Sequence, residues 1–298
     1  MTMPLAYRPA AFAPVPSWRR WWPLAQQEAG LLFQSRWGQA IVFLCLLPAV
    51  GRLVMLLILF GVLQFGPPGM RAIGPGRPRP LAAFDPLQVE FYVDPVLAAM
   101  PGMVVALLLS ALVPARAIAR DRSTNALELY WTRGISPYAY VLAKWVGSAL
   151  LLGVVTVLAP LALWSTAALL HEDWGLLAST WWPMVQALAG LAAATLVWTA
   201  LAILVSASCA SANAAMVLWT MLLVGSAAVG AVAAAAARDP SLRTVFSLWE
   251  CGALLARQVG GSAPRGAPVA GCLCTLGTVL FVLGLRAHRH LRVAEAVQ

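Results

Sequence analysis

Charge is scarce in this chain. Only 10% of its 298 residues are Asp, Glu, Lys or Arg, and lysine occurs once, as Lys144. That lysine does not stand in a G-x-x-x-x-G-K-[ST] run, so the chain lacks the backbone cradle, with its Lys and Ser/Thr, that holds the phosphates of ATP. It also lacks an HExxH pair for zinc-dependent proteolysis and a GxSxG elbow for a nucleophilic serine. No Asp or Glu falls in the core of an apolar run, which argues against a pump that relays protons between buried carboxylates. The five cysteines (Cys45, Cys209, Cys251, Cys272 and Cys274) have neither zinc-finger nor disulfide-framework spacing. Thiols such as Cys272 and Cys274 in an apolar helix are ordinarily inert packing residues, and no metal site is expected. The sequence therefore points away from an enzyme.

What is abundant is apolar surface: 61% of residues are hydrophobic and the mean hydropathy is +0.80. This places the chain among polytopic membrane proteins. About 20 apolar residues are needed to cross the hydrocarbon. Six such runs stand at roughly 40–65, 95–115, 139–169, 183–207, 214–236 and 268–286. The fold expected is thus all-α, a polytopic integral membrane protein with six transmembrane helices in one domain over 39–298. The third run is long, and Pro160 gives it a place to bend. Residues 1–16 are Pro-rich without a cleavable signal pattern, and an unstructured start is expected. In Ser17 to Arg36, the rings of Trp18, Trp21 and Trp22 alternate with Arg19, Arg20, Gln26, Gln27 and Glu28, as in an amphipathic helix lying in the membrane interface. Residues 1–38 are accordingly read as a cytoplasmic tail and interface helix.

Orientation follows from the basic residues. With both termini in the cytoplasm, twelve basic and four acidic residues lie on the cytoplasmic side, against seven of each outside. Lys and Arg favour the cytoplasmic face, so both termini are expected there. The formal net charge of +9 is then an orientation signal, and no nucleic-acid partner is inferred from it.

The stretch from Ile118 to Trp145, IARDRSTNALELYWTRGISPYAYVLAKW, is a charged and aromatic island between apolar runs. Ser123, Thr124 and Asn125 offer N-caps, Ala126 to Trp131 reads as a short helix stopped by Gly134, and Pro137 opens the next helix. Tyr138, Tyr140, Lys144 and Trp145 fit headgroup depth, with Lys144 snorkelling. A topology anchor alone would explain the basic residues but not Asp121 and Glu128.

This island resembles the cytoplasmic loop of ABC-2 type transporter permeases, with Ile118, Asp121, Arg122, Ala126, Leu127, Glu128, Leu129, Arg133, Ser136, Tyr140 and Lys144 matching in order. Gly134 and Ile135 stand where the family usually has a proline. The resemblance implies the membrane subunit of an ABC exporter, with the loop at 116–137 coupling it to a separate ATPase subunit. It also implies that the permease is a homodimer in a bacterial plasma or inner membrane, with ATP and Mg bound by the ATPase and no cofactor on this chain. Asp121, Arg122, Glu128 and Arg133 would then contact the ATPase, and Leu127, Tyr130 and Trp131 would serve as packing anchors. A Glu where Glu28 sits is also common in the interface helix of such permeases. The alternative is a non-transporting scaffold or receptor that docks another cytoplasmic partner.

Other features divide between structure and function. Arg52 interrupts the first run, at a cost of about 2.5–3.5 kcal/mol on insertion scales. It is a candidate pathway residue facing a carbonyl freed by Pro48, Gln186, water or substrate, or else it lies nearer the cytoplasmic headgroups. The Pro/Gly-rich stretch 66–94 reads as an interfacial loop anchored by Phe84, Phe91 and Tyr92. His171, Glu172 and Asp173 form a solvated turn bordered by Trp174, Trp181 and Trp182. Gly225 to Gly230 and the alanines after it favour close helix packing. Residues 240–261 read as an outer helical segment, with Trp249 and Ala253 on one face and Arg243, Glu250 and Arg257 set apart; the resembled family has a re-entrant segment at this position.

Overall fold

The computed structural model describes residues 17–34, 36–60, 62, 88–97, 102–132, 135–171, 174–264 and 266–296. Among these the chain is all-helical, without a strand. The helices are α1 (Ser17–Gly30), α2 (Arg36–Leu59), α3 (Glu90–Leu97), α4 (Gly102–Leu112), α5 (Pro114–Ser123), α6 (Ala126–Thr132) and α7 (Pro137–Gly153). They continue as α8 (Ala159–Leu170), α9 (Gly175–Ser208), α10 (Ala212–Ala237), α11 (Ser241–Phe246), α12 (Leu248–Val259) and α13 (Val269–Ala296). Among the described residues, five stretches are long and apolar enough to cross a membrane: Gln39–Leu59, Pro137–Leu170, Gly175–Ser208, Ala212–Ala237 and Val269–Arg289. This is a multi-pass membrane protein.

The expected second span, 95–115, does not form one helix. It is divided among α3, α4 and α5, whose longest piece has 11 residues. Pro114 is the local cause: it has no N–H, and its ring would strike the carbonyl of Ser110 four residues back. The helix therefore breaks at Val113 and restarts with Pro114 in its first turn, where the missing N–H costs nothing. Pro160 is accommodated differently. The third span stays helical through it, but widens into a π turn at Val154–Leu158, in which the Ala159 amide donates to the Val154 carbonyl.

Hydroxyls tie the spans together where lipid offers no hydrogen bonds. Thr156 and Thr195 oxygens lie 2.7 Å apart between the π turn and α9. Trp219 donates to Ser110 across α10 and α4 at 3.0 Å, and Trp164 to Thr180 across α8 and α9 at 2.9 Å. Ser206, buried on α9, accepts from the amides of both Ile118 and Ala119 at 3.0 Å. Ser206→Ala is expected to cost about 1–3 kcal/mol, because two buried donors lose this acceptor; thermal unfolding in detergent measures it.

At the opposite end of the bundle from α5, the 240–261 segment is two helices broken at Ser247, whose hydroxyl caps α12 by accepting from the Glu250 amide. Trp249 stacks flat on Trp198, with centroids 3.9 Å apart and planes 3° from parallel, and its indole donates to the Leu97 carbonyl at 3.1 Å. Gly190 lets α12 approach so closely that a Cβ there would run into the Ala256 carbonyl. In α10, Gly230 meets the Arg243 carbonyl, whereas Gly225 faces open space. Phe91 and Tyr92 depart from the interfacial reading: they are buried against Leu163 and Met184. Phe84, Asp85, Glu172 and Asp173 lie outside the described residues.

Candidate functional site

At the end of the bundle where α7 begins and α9 ends, three segments distant in sequence converge on one ammonium. Lys144 of α7 is 2% exposed. Its Nζ lies 2.6 Å from Glu28 Oε2 and 2.7 Å from Asp121 Oδ2. Burying a lone ammonium is prohibitive, so both carboxylates are needed to satisfy it. Asp121 Oδ2 also accepts from the Tyr140 hydroxyl at 2.9 Å. Arg120 closes the outer edge, with Nη2 3.5 Å from Glu28 and Nε 3.7 Å from Asp121. Two cations thus balance two anions.

Local structure explains the convergence. Leu24, Ala25 and Glu28 share one face of α1 at helical spacing, and all are buried against α7. Tyr140 and Lys144, four apart, share a face of α7, whose first turn is fixed by Pro137 and by the Ser136 hydroxyl accepting from the Ala139 amide at 3.3 Å. Gly147, one turn further, removes the side chain that would hold α1 away: a Cβ there would lie 2.5 Å from the Ala25 carbonyl oxygen and 2.8 Å from Glu28 Cβ. α5 enters beside them through the small faces of Ala115, Ala117 and Ala119, which are almost fully buried.

Lys144 therefore does not snorkel. Its chain is long enough to reach headgroups, but two carboxylates lie within hydrogen-bonding distance and satisfy it inside the protein. Nor do Ser123 and Thr124 show caps for α6. Their hydroxyls donate back to the carbonyls of Arg120 and Asp121, finishing α5, and Asn125 turns the chain with φ of 55°. Trp145 keeps its place beside the island and donates to the Leu196 carbonyl and Thr199 hydroxyl at 3.0 and 3.1 Å.

The residues singled out by sequence for an ATPase fall into three groups. Asp121 and Leu127 are buried within this chain. Arg122 and Tyr130 are half-buried: Arg122 Nη1 donates to the Cys209 carbonyl at 3.0 Å, and the Tyr130 ring sits 5.3 Å from that of Tyr140. Burial, reinforced by the charge of Asp121, raises the Tyr130 phenol above its ordinary range. Glu128 and Trp131 lie on α6 with side chains outside the described residues, as does the whole of Arg133. Among the described side chains of residues 118–132, Ser123, Thr124, Asn125 and Leu129 are exposed, the last to 62%.

Arg52, the other candidate, is half-buried on α2, with its guanidinium carbon 5.1 Å from the centre of the Phe91 ring. It borders a cavity of about 20 Å³ between Pro48, Tyr92, Val155 and Pro160, room for about one water.

The profile of the ABC-2 family transporter protein matches residues 81–250, more than half of the chain. The chain belongs to the ABC-2 transporter family. ABC-2 permeases are typically non-catalytic membrane subunits. The matched region contains Asp121, Tyr140 and Lys144, while Glu28 precedes it. No curated protein sequence matches this ABC-2 chain at a significant level.

Sequence reading placed Asp121 on the docking face and did not join Glu28, Arg120, Tyr140 and Lys144 into one cluster. A signal was present: the chain's one lysine stands four residues after Tyr140, where the two share a helix face.

Proposed function

We propose that this chain is the permease subunit of an ABC exporter, working as a homodimer with separate ATPase subunits in a bacterial plasma membrane, with both termini cytoplasmic. The observation that carries this reading is the buried Glu28–Asp121–Lys144 cluster. It joins the α5–α6 segment, which presents Leu129 to solvent, to the start of the long span α7 and to α1. A push on α6 is then delivered to the span instead of being absorbed by a loose loop. The exposed edge of α6 makes the ATPase contact, and Asp121 and Leu127 support it from beneath. Nucleotide and magnesium stay on the partner, whose closure biases the permease between inward- and outward-facing states through unequal contacts in the two.

Affinity purification of the full chain from native membranes in mild detergent tests this proposal. An ATPase carrying a phosphate-binding loop is expected to co-purify with the wild type and to be lost, at least tenfold, with Leu129→Arg or Glu128→Arg. Capture of a partner without that loop under the same conditions would support the scaffold instead.

A further inference from the structure

A second site, independent of the exporter reading, lies at the far end of the bundle. A cavity of about 370 Å³ opens between the end of α3, α11, α12 and the turn before α13. This volume falls within the range of small-ligand pockets, about 300–1,000 Å³. Its floor is apolar and fixed: Trp249 is held by its stack on Trp198 and its bond to Leu97, and Ala253 and Leu254 are buried beside it. Its walls carry Arg243, Glu250 and Arg257.

These charges are arranged in alternation. Glu250 and Arg257 are seven apart on α12, so they share a face two turns, about 10 Å, from one another. Arg243 donates to Glu250 at 2.9 Å, and Arg257 donates to Asp94 at 3.0 Å. All four are partly exposed, so each keeps capacity for a further partner. A simple anion entering here competes with two carboxylates already on the guanidiniums, and a simple cation meets two guanidiniums. A molecule with both charges extends the alternation at both ends, and the compact apolar floor takes the short chain between them.

We infer that this cavity binds a compact zwitterion with a phosphate at one end and an ammonium at the other, the phosphate on Arg257 and the ammonium on Glu250. That chemistry occurs in a phospholipid headgroup and in a free phosphoamine. Arginine suits the phosphate because its planar fork bonds two oxygens at once.

Calorimetric titration of the purified full chain distinguishes the sources. O-phosphoethanolamine and dihexanoyl phosphatidylethanolamine are the probes, with ethanolamine, inorganic phosphate and dihexanoyl phosphatidylglycerol for comparison. Saturable binding of a zwitterionic probe is expected, with each single-charge compound at least tenfold weaker. Binding of the soluble phosphoamine assigns a free ligand, and binding of the lipid alone assigns a headgroup. Glu250→Gln and, separately, Arg257→Gln should each weaken the zwitterion at least tenfold while leaving the melting temperature near that of the wild type. The inference is overturned if neither zwitterion saturates, if phosphate or phosphatidylglycerol binds equally well, or if a folded variant of either residue binds like the wild type.

Discussion

Lys144→Met is expected to destabilise the protein by about 3–5 kcal/mol, the range for leaving a buried ion pair without one partner. Glu28 and Asp121 would then face each other in a site where both are almost fully buried. Arg120 offers partial compensation, but it is 40% exposed and 3.5 Å or more away, which places the cost toward the lower end of that range without removing it. The combined Glu28→Gln, Asp121→Asn and Lys144→Met variant keeps the shape and removes the charges, and is expected to recover most of the stability. Thermal unfolding reads both variants; a deficit unrelieved in the triple variant would show that the cluster is not held electrostatically.

Gly147→Val is the second large effect. Even the first carbon of a side chain at Gly147 would overlap the Ala25 carbonyl, which is backbone and yields only if α1 moves as a whole. Overpacking costs about 1–3 kcal/mol on its own. Here the displacement also draws Glu28 away from Lys144, one helical turn earlier on the same face, so the two losses compound. The expected result is a detached α1, read as faster amide exchange across Leu24 to Glu28 together with a lower melting temperature. Gly225→Ala provides the control: a Cβ there would have no atom from another part of the chain within 4 Å, and alanine in a helix interior should be neutral or stabilising by up to about 1 kcal/mol. Equal effects at the two glycines would contradict the close-contact explanation.

These expectations also mark how far the sequence could be read. The apolar runs and the island at 118–145 were legible because membrane crossing demands length and apolarity, which composition records directly. The break at Pro114 and the π turn before Pro160 were less so: proline announces a disturbance, but whether the helix stops or widens depends on what packs around it. The burial of Lys144 was hidden for a different reason. A lysine beside the membrane ordinarily snorkels, and the partner that prevents it, Glu28, lies 116 residues away. Likewise Asp121 looked like a docking residue because it belongs to the charged motif, whereas its bonds to Lys144 and Tyr140 turn it inward. Glu250 and Arg257 were set apart correctly by helical spacing, but the cavity between them required the position of α3.

The claim at the centre of this account is that an ATPase binds through α5 and α6 and is felt in α7. Hydrogen–deuterium exchange on the purified permease, alone and in complex with its ATPase, tests it most directly. The account predicts new protection concentrated in residues 118–132, extending through the first turns of α7 and to α1 around Glu28, and losing that extension when Lys144 is replaced by Met in a folded complex. Protection located elsewhere, or a footprint on α6 that never reaches α7, would contradict it.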